Sequence, residues 1–164
     1  MMRGVFVGLG ANLGDPAAHV RKAIDALGAI PRTRVLRQSR VYRSAPWGNP
    51  DQPDFANAVV ELETDQGPEA LMRSLLAIEI DAGRARDGRR NEPRTLDLDL
   101  LSYGNRSSAA PELTLPHPRM HQRAFVLVPL AEIAPDAELP ALGKVESLLA
   151  CVDTSSVRPW RDRA

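Results

Sequence analysis

Two carboxylates carry the first chemical signal in this chain. Asp97 and Asp99 sit in the run Arg94-Thr95-Leu96-Asp97-Leu98-Asp99-Leu100, where apolar and polar residues alternate with the period of a half-buried strand. Leu96, Leu98 and Leu100 point into a core, and Asp97 and Asp99 share the opposite face. Two residues apart on a strand, their carboxylates lie roughly 6–7 Å from each other. Like charges at that distance raise each other's pKa unless a cation lies between them. A hard divalent ion such as Mg²⁺ is commonly held by one or two carboxylates plus substrate phosphates. The plain alternative is a solvated strand face carrying two surface acids. Arg84, Arg86, Arg89, Arg90 and Arg94, just upstream, weigh against it.

Further along, His117, Arg119, His121, Arg123 and Phe125 crowd into nine residues. Arginine forks match phosphate oxygens, and a polyphosphate needs several such partners as well as its metal. Earlier, Phe55 and Asn57 share one face of a strand. An aromatic beside a carboxamide can read a flat heterocycle by stacking and paired hydrogen bonds, although an asparagine there can equally satisfy loop backbone. Trp47, in the proline-rich loop from Ser44 to Asp54, is either an anchor of that loop or a lid over a ligand. Glu79 lies one turn from a helix C-terminus, where the dipole disfavours a carboxylate, which hints at a ligand or an ion pair. Together these types point to metal-assisted phosphoryl-type transfer from a nucleotide to a small heterocycle.

Other motifs are weaker. Gly8-Leu9-Gly10-Ala11-Asn12-Leu13-Gly14 is not the G-x-G-x-x-G of a dinucleotide fold, and the following strand offers arginines where an acid is needed. It reads as a tight turn in which Gly10 and Asn12 let backbone and amide approach a ligand. No G-x-x-x-x-G-K-[ST] is present, so a P-loop kinase is excluded. Two rivals stay open at this point. One is a zinc hydrolase using His117, His121 and Asp97, and the other is a non-catalytic nucleotide-binding module.

The elements that must position these residues follow from periodicity. Gly4–Leu9 is a buried strand. Asp15-Pro16 starts a helix with Val20, Ala23, Ile24 and Leu27 inward, stopped by Gly28. Arg34–Arg43 and Phe55–Thr64 are strands. Gly67-Pro68 opens a helix whose buried stripe is Leu71, Leu75 and Ile78, and the acid-bearing strand follows. That order, β-α-β-β-α-β, is an α+β ferredoxin-like core of two helices on an antiparallel sheet, here with a C-terminal extension. Ala124–Ile133 is apolar, a buried helix or turn interrupted by Pro129, and Val145–Val152 is a short helix. The spacing of Cys151 assigns it to core packing, and Trp160 reads as a packing anchor.

With 164 residues, 43% hydrophobic and 26% charged, the chain fits one domain spanning 1–164. Net charge is 0, so nothing draws it globally to nucleic acid or to anionic membrane. A single cysteine and no long apolar run fit a cytoplasmic protein. The lack of a long apolar surface stripe makes a monomer the default.

Taken in order, several of these stretches carry a family resemblance. They are Gly8–Leu13, Val41-Tyr42-Arg43-Ser44, Asp51–Ala58, Ile78-Glu79 and Gly83–Arg86. They continue through Pro93–Asp99, Pro116-His117-Pro118 and Arg123-Ala124-Phe125. The chain resembles the 6-hydroxymethyl-7,8-dihydropterin pyrophosphokinases of folate biosynthesis over nearly its whole length. The resemblance implies transfer of pyrophosphate from ATP to the pterin hydroxymethyl group, with release of AMP. It implies two Mg²⁺ ions on Asp97 and Asp99, and catalytic roles for these two with Arg84 and Arg94. ATP would be met by Glu79, Arg84, Arg86, Arg94, His117 and Arg123. The pterin would be met by Ser44, Ala45, Trp47, Phe55, Asn57 and Phe125. Asn91, Glu92 and Pro118 depart from the pattern that many relatives show there.

Overall fold

The structure, a computed structural model, describes residues 1–46, 51–83 and 96–161. It is built on β1 (Met2–Ala11), whose middle residues are almost completely buried. β1 lies between β4 (Phe55–Thr64) and β5 (Asp97–Tyr103) and pairs antiparallel with both. On the far side of β4 lie β2 (Thr33–Gln38) and β3 (Tyr42–Ser44), each pairing with a different half of it. The short β10 (Arg158–Pro159) adds to the outer edge of β3. The sheet order β10-β3-β4-β1-β5, with β2 also on β4, is the antiparallel order expected of the ferredoxin-like core.

One strand of the sequence reading is two in the structure. The stretch 34–43 breaks at Ser39, which leaves the ladder to exchange bonds with Val59. Its N–H donates to the Val59 carbonyl at 2.9 Å, and its Oγ accepts the Val59 N–H at 3.0 Å. The serine side chain stands in for a ladder partner, so β2 and β3 stay on the same neighbour while the chain changes direction.

Two helices cover one sheet face. α1 (Pro16–Gly28) begins as its sequence dictates, with the Asp15 side chain accepting from the Ala18 N–H at 3.2 Å and Pro16 in the first turn. α2 (Pro68–Asp81) begins at Gly67-Pro68 and buries Leu71, Leu75 and Glu79. Between the helices and the sheet lies a core of Val5, Val7, Leu9, Val20, Leu27, Val60, Leu62, Leu96, Leu98 and Leu100, among others. The opposite sheet face carries α3 (Ala124–Ile133), which continues through Pro129, over a second core of Phe6, Val59, Leu101, Met120, Val126 and Leu130. The hairpin of β8 (Glu138–Leu139) with β9 (Gly143–Lys144) adds Leu139 to this second core, and α4 (Val145–Leu149) follows, whereas the hairpin of β6 (Ser108–Ala110) with β7 (Leu113–Leu115) packs Leu113 and Leu115 into the first core.

Cys151 corrects the sequence reading. It is exposed, because α4 ends at Leu149 and the next residues turn away from the core. Trp160, by contrast, packs against the first core. Among the described residues no helix is long and apolar enough to cross a membrane.

Candidate active site

The face of the sheet that carries α3 is not covered from end to end. Where β1, β4 and β5 pass beyond α3, a cavity of about 540 Å³ opens on the sheet. That is a size typical of small-molecule sites. Strand alternation decides its floor: Gly8 and Gly10 from β1, Phe55 and Asn57 from β4, and Asp97 and Asp99 from β5. Ser44 and Ala45 close one side. Arg119, Gln122, Arg123, Phe125 and Val126, from the 3₁₀ turn at Met120–Gln122 and the start of α3, close another.

The two aspartates are placed as their alternation requires. Leu96, Leu98 and Leu100 are 2%, 6% and 4% exposed in the core, and Asp97 and Asp99 line the cavity. Among the described residues β5 stands at the edge of its sheet, next to β1, so its outward N–H groups need acceptors from outside the sheet. At Leu98, between the two acids, that acceptor is Glu79, whose Oε2 lies 2.8 Å from the Leu98 nitrogen. Glu79 is 3% exposed and does not line the cavity. Its position near the end of α2, unfavourable for the helix dipole, puts a carboxylate against the back of the acid-bearing strand.

Asn57 is oriented by Ser44, whose Oγ donates to Asn57 Oδ1 at 2.5 Å. This leaves the amide Nδ2 beside Gly10, where an added Cβ would meet it at 3.3 Å and Phe55 at 3.9 Å. Gly10 is therefore the gap that admits the Asn57 amide and the Phe55 ring. Asn12, 1% exposed, donates from Nδ2 to Gln52 Oε1 at 2.9 Å and to the Pro53 carbonyl at 3.3 Å. It thereby fixes the chain that enters β4 at Phe55. Phe125 faces the same cavity, with the Arg123 guanidinium 5.6 Å from its ring centre.

His117 is half-buried within reach of the charges of Arg123 and Asp97. Its imidazole pKa is lowered to about 4, first by burial and then by the Arg123 charge, with Asp97 opposing. Its Nδ1 accepts the Arg119 N–H at 3.3 Å, so the neutral ring carries its proton on Nε2. It offers a hydrogen-bond donor and no positive charge.

Of the residues expected from sequence, Ser44, Ala45, Phe55, Asn57, Asp97, Asp99, Arg123 and Phe125 converge on one cavity. Glu79 and His117 lie outside its lining. Trp47, Arg84, Arg86 and Arg94 lie outside the described residues. Arg119, noted as a member of the His-Arg cluster, lines the site too, and Gln122, inside the same cluster, lines it without a signal of its own. Among the described residues no three His, Cys, Asp or Glu side chains form a metal-holding group, so the zinc arrangement of His117, His121 and Asp97 is not made. The donor set of Asp97 and Asp99 is all oxygen, which suits a hard divalent ion completing its shell with water and phosphate.

Residues 6–135 match the family model described as 7,8-dihydro-6-hydroxymethylpterin-pyrophosphokinase. A Pseudomonas aeruginosa protein named 2-amino-4-hydroxy-6-hydroxymethyldihydropteridine pyrophosphokinase is 45% identical over 150 residues, 92% of each chain. A protein of the same name from Methylorubrum extorquens is 43% identical, covering 95% of this chain and 98% of its own. In shape, the chain is similar to crystal structures of HPPK-DHPS proteins. One of these, in complex with substrates, has a TM-score of 0.69 at 12% identity, over 92% of this chain. One from Plasmodium falciparum has a TM-score of 0.71 at 12% identity. This chain spans 43% and 45% of those two solved chains, and the likeness there is one of fold. The match over 130 of the 164 residues (135 − 6 + 1), with relatives this similar along nearly their full length, makes the chain a member of the 7,8-dihydro-6-hydroxymethylpterin-pyrophosphokinase family.

Proposed function

We propose that this chain transfers the terminal pyrophosphate of ATP to the hydroxymethyl group of 6-hydroxymethyl-7,8-dihydropterin and releases AMP, in the route to tetrahydrofolate. The observation that carries this reading is the meeting of two half-buried carboxylates with an aromatic/carboxamide pair in one cavity.

Each side of that cavity has a task. Phe55 and Phe125 present ring faces for stacking a planar bicycle. Asn57, held by Ser44, presents a fixed amide, and Ala45 closes the same end. Arg123 and Arg119 offer guanidinium groups to phosphate oxygens, and His117 adds a neutral donor. Asp97 and Asp99 would hold Mg²⁺, two ions on this reading, which when bound neutralise phosphate charge and polarise the reacting oxygens. Arg84, Arg86 and Arg94 would complete the ATP side, Trp47 would complete the pterin side, and Glu79 would serve the ATP side by holding the acid strand.

In the reaction the hydroxymethyl oxygen gives up its proton to solvent and forms a bond to the β-phosphorus. The bond from the β-phosphorus to the oxygen bridging the α- and β-phosphates breaks, and AMP leaves with that oxygen. The protein's contribution is chiefly placement: the pterin held flat, the chain of phosphates held in line, and water displaced by the fit. A net charge of 0 goes with a protein that acts on small molecules and not on nucleic acid or anionic membrane, and a monomer of one domain over 1–164 completes this reading. Use of ATP and a single cysteine fit a cytoplasmic setting.

Incubation with ATP, Mg²⁺ and 6-hydroxymethyl-7,8-dihydropterin tests the proposal. Equal amounts of AMP and pyrophosphorylated pterin are expected. Formation of ADP would mean an ordinary kinase, and absence of any product would leave only a binding module.

A further inference from the structure

The last described strand leads into an arrangement that the proposed chemistry does not use. β10 is only two residues long, and it pairs Arg158 with Arg43 and Pro159 with Tyr42 on the open edge of β3. The next residue, Trp160, donates its backbone N–H to the Val41 carbonyl at 2.8 Å and packs its ring against the core. Over that ring, 3.9 Å from its centre, lies the Arg43 guanidinium. The same guanidinium reaches back across the sheet, with Nη1 3.5 Å from Asp54 Oδ2.

Those contacts bear on one half of the cavity. Arg43 immediately precedes Ser44 and Ala45, and Asp54 immediately precedes Phe55; all three neighbours line the site. Register places Ser44 opposite Phe55 and Arg43 opposite Ala56. A guanidinium between an indole face and a carboxylate therefore ties the arm leaving β3 to the arm entering β4. Cation–π contact favours arginine flat over tryptophan, and the stacked fork loses few rotamers when it also meets a carboxylate. β10 lies beyond residues 6–135, the stretch that the family model matches.

We propose that Trp160, through Arg43 and Asp54, is a positioning residue for the heterocycle end of the cavity: the C-terminal strand is a clasp that sets Ser44 and Phe55, and it leaves the phosphate end untouched. The chemical identity of the positioned ligand, a planar bicyclic pterin, rests on the function proposed above.

Three full-length variants test this. Trp160→Leu keeps apolar volume and removes the aromatic face, Trp160→Phe restores a face, and Asp54→Asn breaks the other end without touching the core. The clasp requires Trp160→Leu to raise the KM for the pterin about threefold to tenfold, with kcat and the KM for ATP within about twofold. Asp54→Asn moves the same way, and Trp160→Phe stays near wild type. A lower melting temperature with unchanged pterin KM, or an equal rise in both KM values, overturns the proposal. Amide hydrogen exchange of 42–45 and 51–55 reads the same clasp without turnover. Faster exchange there in Trp160→Leu and Asp54→Asn supports it even if the wild-type protein makes no AMP, and unchanged exchange refutes it.

Discussion

Replacing Glu79 by alanine probes how the acid-bearing strand is held. The carboxylate is 3% exposed and accepts the N–H of Leu98, the residue between Asp97 and Asp99. Alanine removes that acceptor and leaves a buried N–H on an edge strand without its partner, a loss of about 1–3 kcal/mol. For a chain of this size, roughly 2 kcal/mol corresponds to about 4–8 °C of melting temperature. The larger effect falls on chemistry. The Leu98 amide fixes the strand at the point where the two carboxylates project, and a misplacement of about 1 Å at such a point costs about 10²-fold in turnover. Glutamine keeps an acceptor oxygen in the same place and should lose much less of both. Thermal unfolding and kcat at saturating ATP, pterin and Mg²⁺, measured on both variants, separate the effects. If Glu79→Ala melts several degrees lower yet turns over at the wild-type rate, Glu79 supports the fold only, and its role in aligning the acids is refuted.

Asp97→Asn and Asp99→Asn should each lower kcat by about 10²–10³-fold at ordinary Mg²⁺ while circular dichroism and melting stay near wild type, since neither side chain is in the core. Gly10→Ala should weaken pterin binding and spare ATP binding, because the new methyl would stand 3.3 Å from Asn57 Nδ2 and 3.9 Å from the Phe55 ring; isothermal titration with each ligand reads this. In metal-free and nucleotide-free protein, His117 should make stability fall as the pH drops from about 6.5 to about 4. In that window the unfolded imidazole takes a proton that the buried one refuses. His117→Gln should flatten that part of a urea-unfolding profile.

Much of this site could be read before the fold was known, and the reasons are local. Alternation alone put Leu96, Leu98 and Leu100 inside and the two acids outside, because a strand with one buried face leaves no other choice. The β-α-β-β-α-β order followed from periods and caps, such as Asp15-Pro16. What escaped depends on partners distant in sequence. The break at Ser39 needs Val59, and the Asn12–Gln52 bond joins residues 40 apart. The bond from Glu79 to the Leu98 amide joins a helix to a strand edge that only the sheet order exposes. Cys151 shows the converse. Its apolar neighbours suggested a helix face, but the helix stops before reaching it. Gln122 lines the cavity because a 3₁₀ turn brings it round, and no simple period announces such a turn.

The most direct measurement is a crystal structure of the protein with Mg²⁺, a non-hydrolysable ATP analogue and the pterin. Divalent ions bridging the Asp97 and Asp99 oxygens to the analogue's phosphates, with the pterin hydroxymethyl group facing the β-phosphorus between Phe55 and Phe125, is the expected result. Ions bound elsewhere, with both carboxylates turned from the phosphates, would contradict it.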